Sequence, residues 1–243
     1  MFFGKKLSKC LLYIAMPLFV IAILIFSVDI SAGDEVWLKK EYGKLNISGY
    51  TGMDTETMTA AFSRLVNFMK GETDSLDMTV RVNGVEREMF GEREKAHMKD
   101  VRRLYSGVMT AGIIFLVFAV LAAALFLILF GSGGIRMIAK SFLYALGGVL
   151  LLILIIALFA AVDFYGFWKL FHIIFLDFES SVFDPAVSLM IRICPLELFR
   201  DLALRIVLTG FGINGIFAAA SAIYLVILKK QERTLNPRKI KRR

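Results

Sequence analysis

The sequence predicts an all-α membrane protein: four transmembrane helices, a small α+β extracytoplasmic region between spans one and two, and interfacial helices between spans three and four. Three observations carry this expectation. The hydrophobic share is 58% and the mean hydropathy +0.69, whereas soluble domains average about 45–50% apolar residues. Four apolar runs, about Cys10–Ile30, Gly107–Phe130, Phe142–Val162 and Ile206–Leu228, match the roughly 20 residues a helix needs to cross a bilayer. Charge is also unevenly divided. Lys5, Lys6, Lys9, Arg136, Lys140, Lys229, Lys230, Arg233, Arg238, Lys239, Lys241, Arg242 and Arg243 fall in the N-terminus, the link between spans two and three, and the C-terminal tail, where the one acid is Glu232. Lys and Arg stay on the cytoplasmic side. The expected location is therefore the cell membrane, with both termini cytoplasmic and with outer loops at residues 31–106 and 163–205. The whole chain, 1–243, reads as one integral membrane domain.

Backbone groups inside a bilayer find no water, so each apolar run has to be a helix. The first run follows three lysines, but it is longer than a signal-peptide core and no small-x-small cleavage site follows it. It reads as an uncleaved span. The net charge of +8 is concentrated in the tail, which suits anionic headgroups of the inner leaflet and not nucleic acid. On this topology Cys10 and Cys194 lie on opposite sides of the membrane and cannot pair. Neither has the neighbours of a zinc site, and no metal or cofactor is expected.

The first outer loop is too long to be structureless. Asp54–Lys70 predicts an amphipathic helix with Met58, Phe62, Leu65 and Met69 on one face, capped by Asp54 or Thr55. Asp77–Met89 predicts a hairpin about an Asn83-Gly84 type I′ turn. From Gly91 to Gly107 there is no Gly or Pro, so a helix should run directly into span two. In the second outer loop Tyr165, Phe167 and Trp168 resemble an interfacial aromatic belt, and Phe171–Phe178 is expected in the headgroup region. Asp184-Pro185 is a capping acid followed by a proline suited to the first helical turn, predicting a helix to about Cys194. Pro195 then opens a second short helix. Gly147, Gly148, Gly210, Gly212 and Gly215 are expected to allow close helix packing, and Asn214 to act as a polar tie between helices. Asp29 and Asp163 stand at the outer ends of spans one and three, where an acid either serves function or reaches water.

No nucleophile elbow, phosphate loop, HExxH or paired-cysteine motif is present. Ser180-Ser181 is too generic to name a nucleophile. Two histidines remain, His97 and His172, each about ten residues from an apolar run. Imidazole both gives and takes protons near neutral pH. Two at one lipid–water boundary point either to acid–base chemistry on a lipid or to two unrelated surface histidines.

The stretch Phe90-Gly91-Glu92-Arg93-Glu94-Lys95-Ala96-His97-Met98-Lys99-Asp100-Val101 resembles a signature of a family of four-span bacterial membrane proteins. So does Phe171-His172-Ile173-Ile174-Phe175, followed by Phe183-Asp184-Pro185, Ile191 and Pro195. The characterised members are lipoprotein intramolecular transacylases, known as Lit. The resemblance covers essentially the whole chain. It implies a membrane acyltransferase acting on lipoproteins whose N-terminal cysteine carries a diacylglyceryl group and a free α-amine. The sn-2 acyl chain moves to that amine, with membrane lipid and the diacylglyceryl-modified lipoprotein as partners. It also implies that His97 and His172 are the catalytic pair, at the outer membrane face. The chain departs from the family pattern at Glu179-Ser180-Ser181, where relatives carry a Gly/Asn-Trp element, and at Ser188-Leu189, where an Asp-Pro is common.

The chemistry suits two imidazoles. The α-amine, with a pKa of about 7.7–8, attacks only when neutral. A base must take its proton and an acid must protonate the departing glyceryl oxygen. Amine and ester share one molecule, so positioning supplies much of the rate and no acyl-enzyme is required. Candidates for oxyanion stabilisation are Arg93, Arg102 and backbone amides after Asp184. Asp100, three residues from His97, either orients it or is a solvated acid on the helix face. Two rival readings are transacylation of other lipids or small amines, and a non-catalytic envelope protein whose outer loops bind a partner. They separate on whether His97 and His172 face one cavity.

Overall fold

The computed structural model describes residues 2–176 and 182–235. Ser180-Ser181, the Glu179–Ser181 departure, Asp177-Phe178 and the basic residues from Arg238 on lie outside the described residues. The elements run α1 (Phe2–Ala32), α2 (Glu35–Lys44), α3 (Ser48–Thr51), α4 (Thr55–Lys70), β1 (Thr79–Val82), β2 (Val85–Glu88), α5 (Glu92–Phe130), α6 (Ser132–Val162), α7 (Phe164–Phe175), α8 (Leu189–Ile193) and α9 (Leu196–Leu235). Among the described residues four helices, α1, α5, α6 and α9, are long and apolar enough to cross a membrane. The chain forms two compact units: Met1–Ile25, Ala111–Ile155 and Leu208–Arg243 make one, and Phe26–Thr110 with Ile156–Val207 make the other.

The first unit is a helical bundle. Phe19 of α1 meets Phe142 of α6 and Phe217 of α9 edge-on, at 6.0 and 5.4 Å between centroids. Asn214 is fully buried and donates to Gly210 O at 2.9 Å and to Val20 O at 3.5 Å, so it ties α9 to α1. Such bonds hold helices together where the hydrophobic effect between them is weak. Of the five glycines expected to pack closely, only Gly210 is buried. A Cβ added at Gly147, Gly148, Gly212 or Gly215 would meet nothing within 4 Å. The close approach is at Gly134 instead, whose Cβ would lie 3.3 Å from Phe126 O. α5 and α6 are joined by Gly131 alone, with φ +57°, a left-handed turn that a side chain would strain. α6 thus begins ten residues before the apolar run that announced it.

The second unit has its own core, built from Leu38, Tyr42, Ile47, Met58, Phe62, Leu65, Phe90, Ile193 and Leu198 among others. Asp54 caps α4 by accepting from Thr57 N at 2.6 Å, and Met58, Phe62 and Leu65 point inward as expected. The hairpin pairs Val82 with Val85 and Val80 with Arg87. Asn83 and Gly84 have φ +51° and +84°, the left-handed pair a type I′ turn requires. α5 opens at Gly91, whose N–H donates to Glu94 at 2.6 Å, one half of a capping box. Its first four turns carry eight charged residues, Glu92, Arg93, Glu94, Lys95, Lys99, Asp100, Arg102 and Arg103. The spanning part therefore begins near Gly107.

The region after span three differs from expectation in three ways, and the first is that the short helix expected after Pro195 is the start of α9, unbroken from Leu196 to Leu235. Asp184-Pro185 starts a single turn, with Asp184 accepting from Ala186 N at 2.8 Å. A fresh helix, α8, begins only after Ser188, which caps it at Ile191 N. Pro185 fixes a first-turn φ, but Ser188 recaptures the backbone before a second turn forms. Trp168 also leaves the expected belt. It stacks on Phe199 at 4.5 Å because it shares the inward face of α7 with Phe171 and His172. The opposite face of α7, with Leu170, Ile173 and Ile174, is exposed.

Candidate active site

The second unit encloses a cavity of about 410 Å³. α4 contributes Phe62, Leu65, Val66 and Met69. α5 contributes His97, Met98, Val101 and Leu104, and α7 contributes Trp168, Phe171 and His172. Phe183, α8 and the start of α9 close it with Met190, Ile191, Cys194, Phe199, Leu202, Ala203 and Ile206. Its ionisable lining groups are two imidazoles and one thiol. The rest is hydrocarbon and aromatic surface, which suits an apolar ligand with few polar anchors.

The structure brings both histidines into this cavity. The rings are stacked with centroids 6.0 Å apart and planes at 16°. His97 is 8% exposed and His172 7%. His172 is locked by its own helix, since its Nδ1 lies 2.8 Å from Trp168 O. A carbonyl only accepts, so Nδ1 carries the proton, and Nε2 of the neutral ring holds the free lone pair. Trp168 packs edge-on against the same ring at 4.8 Å. His97 is held differently. Phe183 meets its ring edge-on at 5.5 Å, and its Nδ1 is buried with no hydrogen-bond partner among the described residues. Burial, chiefly, pushes His97 down to about 4. The neighbouring His172 adds to this and Asp100 opposes it. An unmade bond on a buried polar atom costs about 1–3 kcal/mol, so a ligand that supplies the missing partner recovers that loss.

The supporting residues named from the sequence are dispersed. Asp100 pairs with Arg103 at 3.7 Å, and it accepts no hydrogen bond from the His97 ring. Arg102 turns away to Asp74 at 3.2 Å, Thr73 O at 3.4 Å and the face of Phe68. Arg93 reaches Val182 O at 3.3 Å and lies over the Phe183 ring, 5.7 Å from its centroid. It thus holds the aromatic that walls His97. Asp184 spends its carboxylate on Ala186 N. Among the described residues no three His, Cys, Asp or Glu gather as metal ligands.

Sequence reasoning missed Glu94, Trp168, Phe183 and Cys194 as parts of this environment. Glu94 could have been found, since Gly91 and Glu94 have capping-box spacing. Cys194 is fully enclosed. Burial and then the nearby Glu94 charge push its thiol up, away from the reactive thiolate.

The model of the family described as lipoprotein intramolecular transacylase Lit matches residues 13–199, a stretch that contains both histidines. The chain belongs to the Lit family. That membership makes it a membrane acyltransferase. Among solved structures it is similar to the membrane-integral lipoprotein intramolecular transacylase Lit from Bacillus cereus, with TM-score 0.73, 17% identity, and 93% of this chain and 99% of that one covered. Histidine-to-arginine and histidine-to-alanine variants of that protein match with TM-score 0.73 and 16% identity, each over 95% of this chain and over 97% and 98% of the other. At these identities the likeness establishes the fold, that of an integral, multi-pass Lit protein. No curated protein sequence matches the chain.

Proposed function

We propose that this chain transfers the sn-2 acyl chain of a diacylglyceryl-modified lipoprotein to the α-amine of the same molecule's N-terminal cysteine. His97 and His172 act at the outer membrane face, and both termini are cytoplasmic. The observation that carries this reading is the stacked imidazole pair, 6.0 Å apart, inside an otherwise apolar cavity that both rings line. A partner-binding surface would have no need to bury two imidazoles beside room for hydrocarbon.

His172 is the base. Its Nε2 lone pair is aimed by the Nδ1–Trp168 bond, and that same carbonyl stabilises the imidazolium that forms. Nε2 takes the proton from the attacking amine and returns it to the departing glyceryl oxygen, so the C–N bond forms, the C–O bond breaks, and the proton ends on oxygen. His97, kept neutral by burial, offers a ring N–H to the developing oxyanion, as a preorganised donor in a dry site. Apolar walls hold the acyl chains, at about 0.8 kcal/mol per buried methylene. They also exclude the water that would hydrolyse the ester. The test is mass spectrometry of a co-expressed lipoprotein's N-terminal peptide. Transfer leaves total mass unchanged, so fragments that place the acyl chain on nitrogen or on glycerol decide. Acyl chains that stay on glycerol across several lipoproteins would refute the assignment.

A further inference from the structure

A buried acid beside the histidines is not used by this mechanism. Glu94 is 5% exposed and lies one helical turn before His97 on α5. One of its carboxylate oxygens accepts from Gly91 N at 2.6 Å, and the other accepts from the Ser188 hydroxyl in a buried hydrogen bond. Ser188 Oγ in turn accepts from Ile191 N at 3.2 Å and caps α8. The segment from Val182 to Ile193 is well tied to itself: Asp184 holds the turn, and Arg192 reaches back to Pro185 O at 2.5 Å and Ala186 O at 2.7 Å. Arg93 fastens it to the start of α5 at Val182 O, and Glu94 does so at Ser188. This segment carries Phe183, against the His97 ring, and Met190 and Ile191, in the cavity wall.

We infer that Glu94 and Ser188 form a positioning clamp, which sets how closely the Val182–Ile193 segment is drawn over the histidines and so holds His97 dry and in register with His172. The inference rests on the transacylase reading for its rate consequence but not for its geometry. A buried carboxylate is costly unless its lone pairs are filled, so Glu94 needs Ser188 as much as Ser188 needs Glu94. If the clamp opens, Phe183 loses its fixed distance from His97 and water enters. Misplacement of a reacting group by about 1 Å can cost about a hundredfold.

The test is Ser188→Ala, with Ser188→Thr as the rescue because it restores the hydroxyl. Both are made in the full-length protein in lipid nanodiscs, with a diacylglyceryl lipopeptide as substrate. Ser188→Ala should lower kcat by about tenfold or more while KM changes less than about twofold, since the acyl-binding walls remain. In parallel, NMR of ring-labelled histidine should show the His97 titration moving up toward the ordinary value of about 6.5, because water now reaches it. Ser188→Thr should return both readouts. Lost activity with an unmoved His97 titration would mean that Ser188 only supports the fold, and would overturn the inference. So would wild-type kcat and titration in Ser188→Ala. If wild type is inactive on every lipopeptide, the transacylase reading fails on its own. The His97 titration still decides the clamp.

Discussion

The burial of His97 has a measurable consequence for pH. Its titration lies at about 4 in the fold and near 6.5 when exposed. Above pH 6.5 the ring is neutral in both folded and unfolded chains, so it contributes no pH dependence. As pH falls from 6.5 toward 4 the unfolded chain takes up the proton first, and the folded state loses stability. Below about 4 both bind it, and the full loss has accrued. At about 1.4 kcal/mol per pH unit, the window is worth on the order of 3 kcal/mol. His97 is only 8% exposed, so solvent screening discounts this little. The perturbation is His97→Gln, which keeps a polar planar group but cannot titrate. The assay is the denaturation midpoint in one detergent from pH 7.5 to 4. The wild-type midpoint should fall more steeply than that of the variant between 6.5 and 4, and the curves should run parallel above 7. Identical slopes throughout, or a His97 ring titrating near 6.5 in the wild type, would refute the account of a dry, neutral imidazole.

Other outcomes follow from the same geometry. His172→Ala should cost about 10²–10⁴ in transfer rate and His97→Ala about 10²–10³, with the protein still folded and inserted. The double variant should resemble the worse single one, because the groups act as a unit; fully multiplied losses would argue for independent roles. Asp100→Asn should change the rate by less than about twofold, since its carboxylate faces Arg103. A cysteine at Ser75, with Cys10 and Cys194 replaced by Ser, should react with a membrane-impermeant thiol reagent on intact cells; labelling only after lysis would invert the topology. Asp54→Ala should destabilise by about 1 kcal/mol through the lost α4 cap, read as a shifted midpoint with transfer kinetics unchanged.

Much of the fold was legible because its signals are local. Four apolar runs, Asp54 before an amphipathic stretch, and Asn83-Gly84 between alternating residues each specify their element without help from the rest of the chain. The histidines stood out in the sequence by type and position, and the structure places both rings in one cavity. What sequence could not give was decided by tertiary contact. α2 buries Leu38, Glu41 and Tyr42, but its apolar content is too thin to announce a helix, and it is held by packing against α4. Trp168 looked like a belt residue because its sequence neighbours are interfacial; which face of α7 it shares with His172 emerges only once the helix is placed. The glycines of spans three and four suggested close packing, yet small residues only permit approach, and at Gly147, Gly148, Gly212 and Gly215 no neighbouring atom takes it. Arg102 has the charge for an oxyanion role, but Asp74 and Phe68 claim it first.

The bond from His172 Nδ1 to the carbonyl of Trp168 makes a chemical state depend on a conformational one. That carbonyl sits four residues back along α7, so it stands at 2.8 Å only while the helix is wound. Unwinding one turn would free the ring to exchange its two neutral forms, and Nε2 would spend much of its time as a donor, unable to take a proton. α7 has an outward apolar face of the kind that gains order from a lipid surface. On the proposed mechanism, a lipid surface that keeps α7 wound would also keep His172 Nε2 a base. With His172 as the proposed base, micelles too loose to keep α7 wound would give a folded chain that binds substrate and does not turn it over.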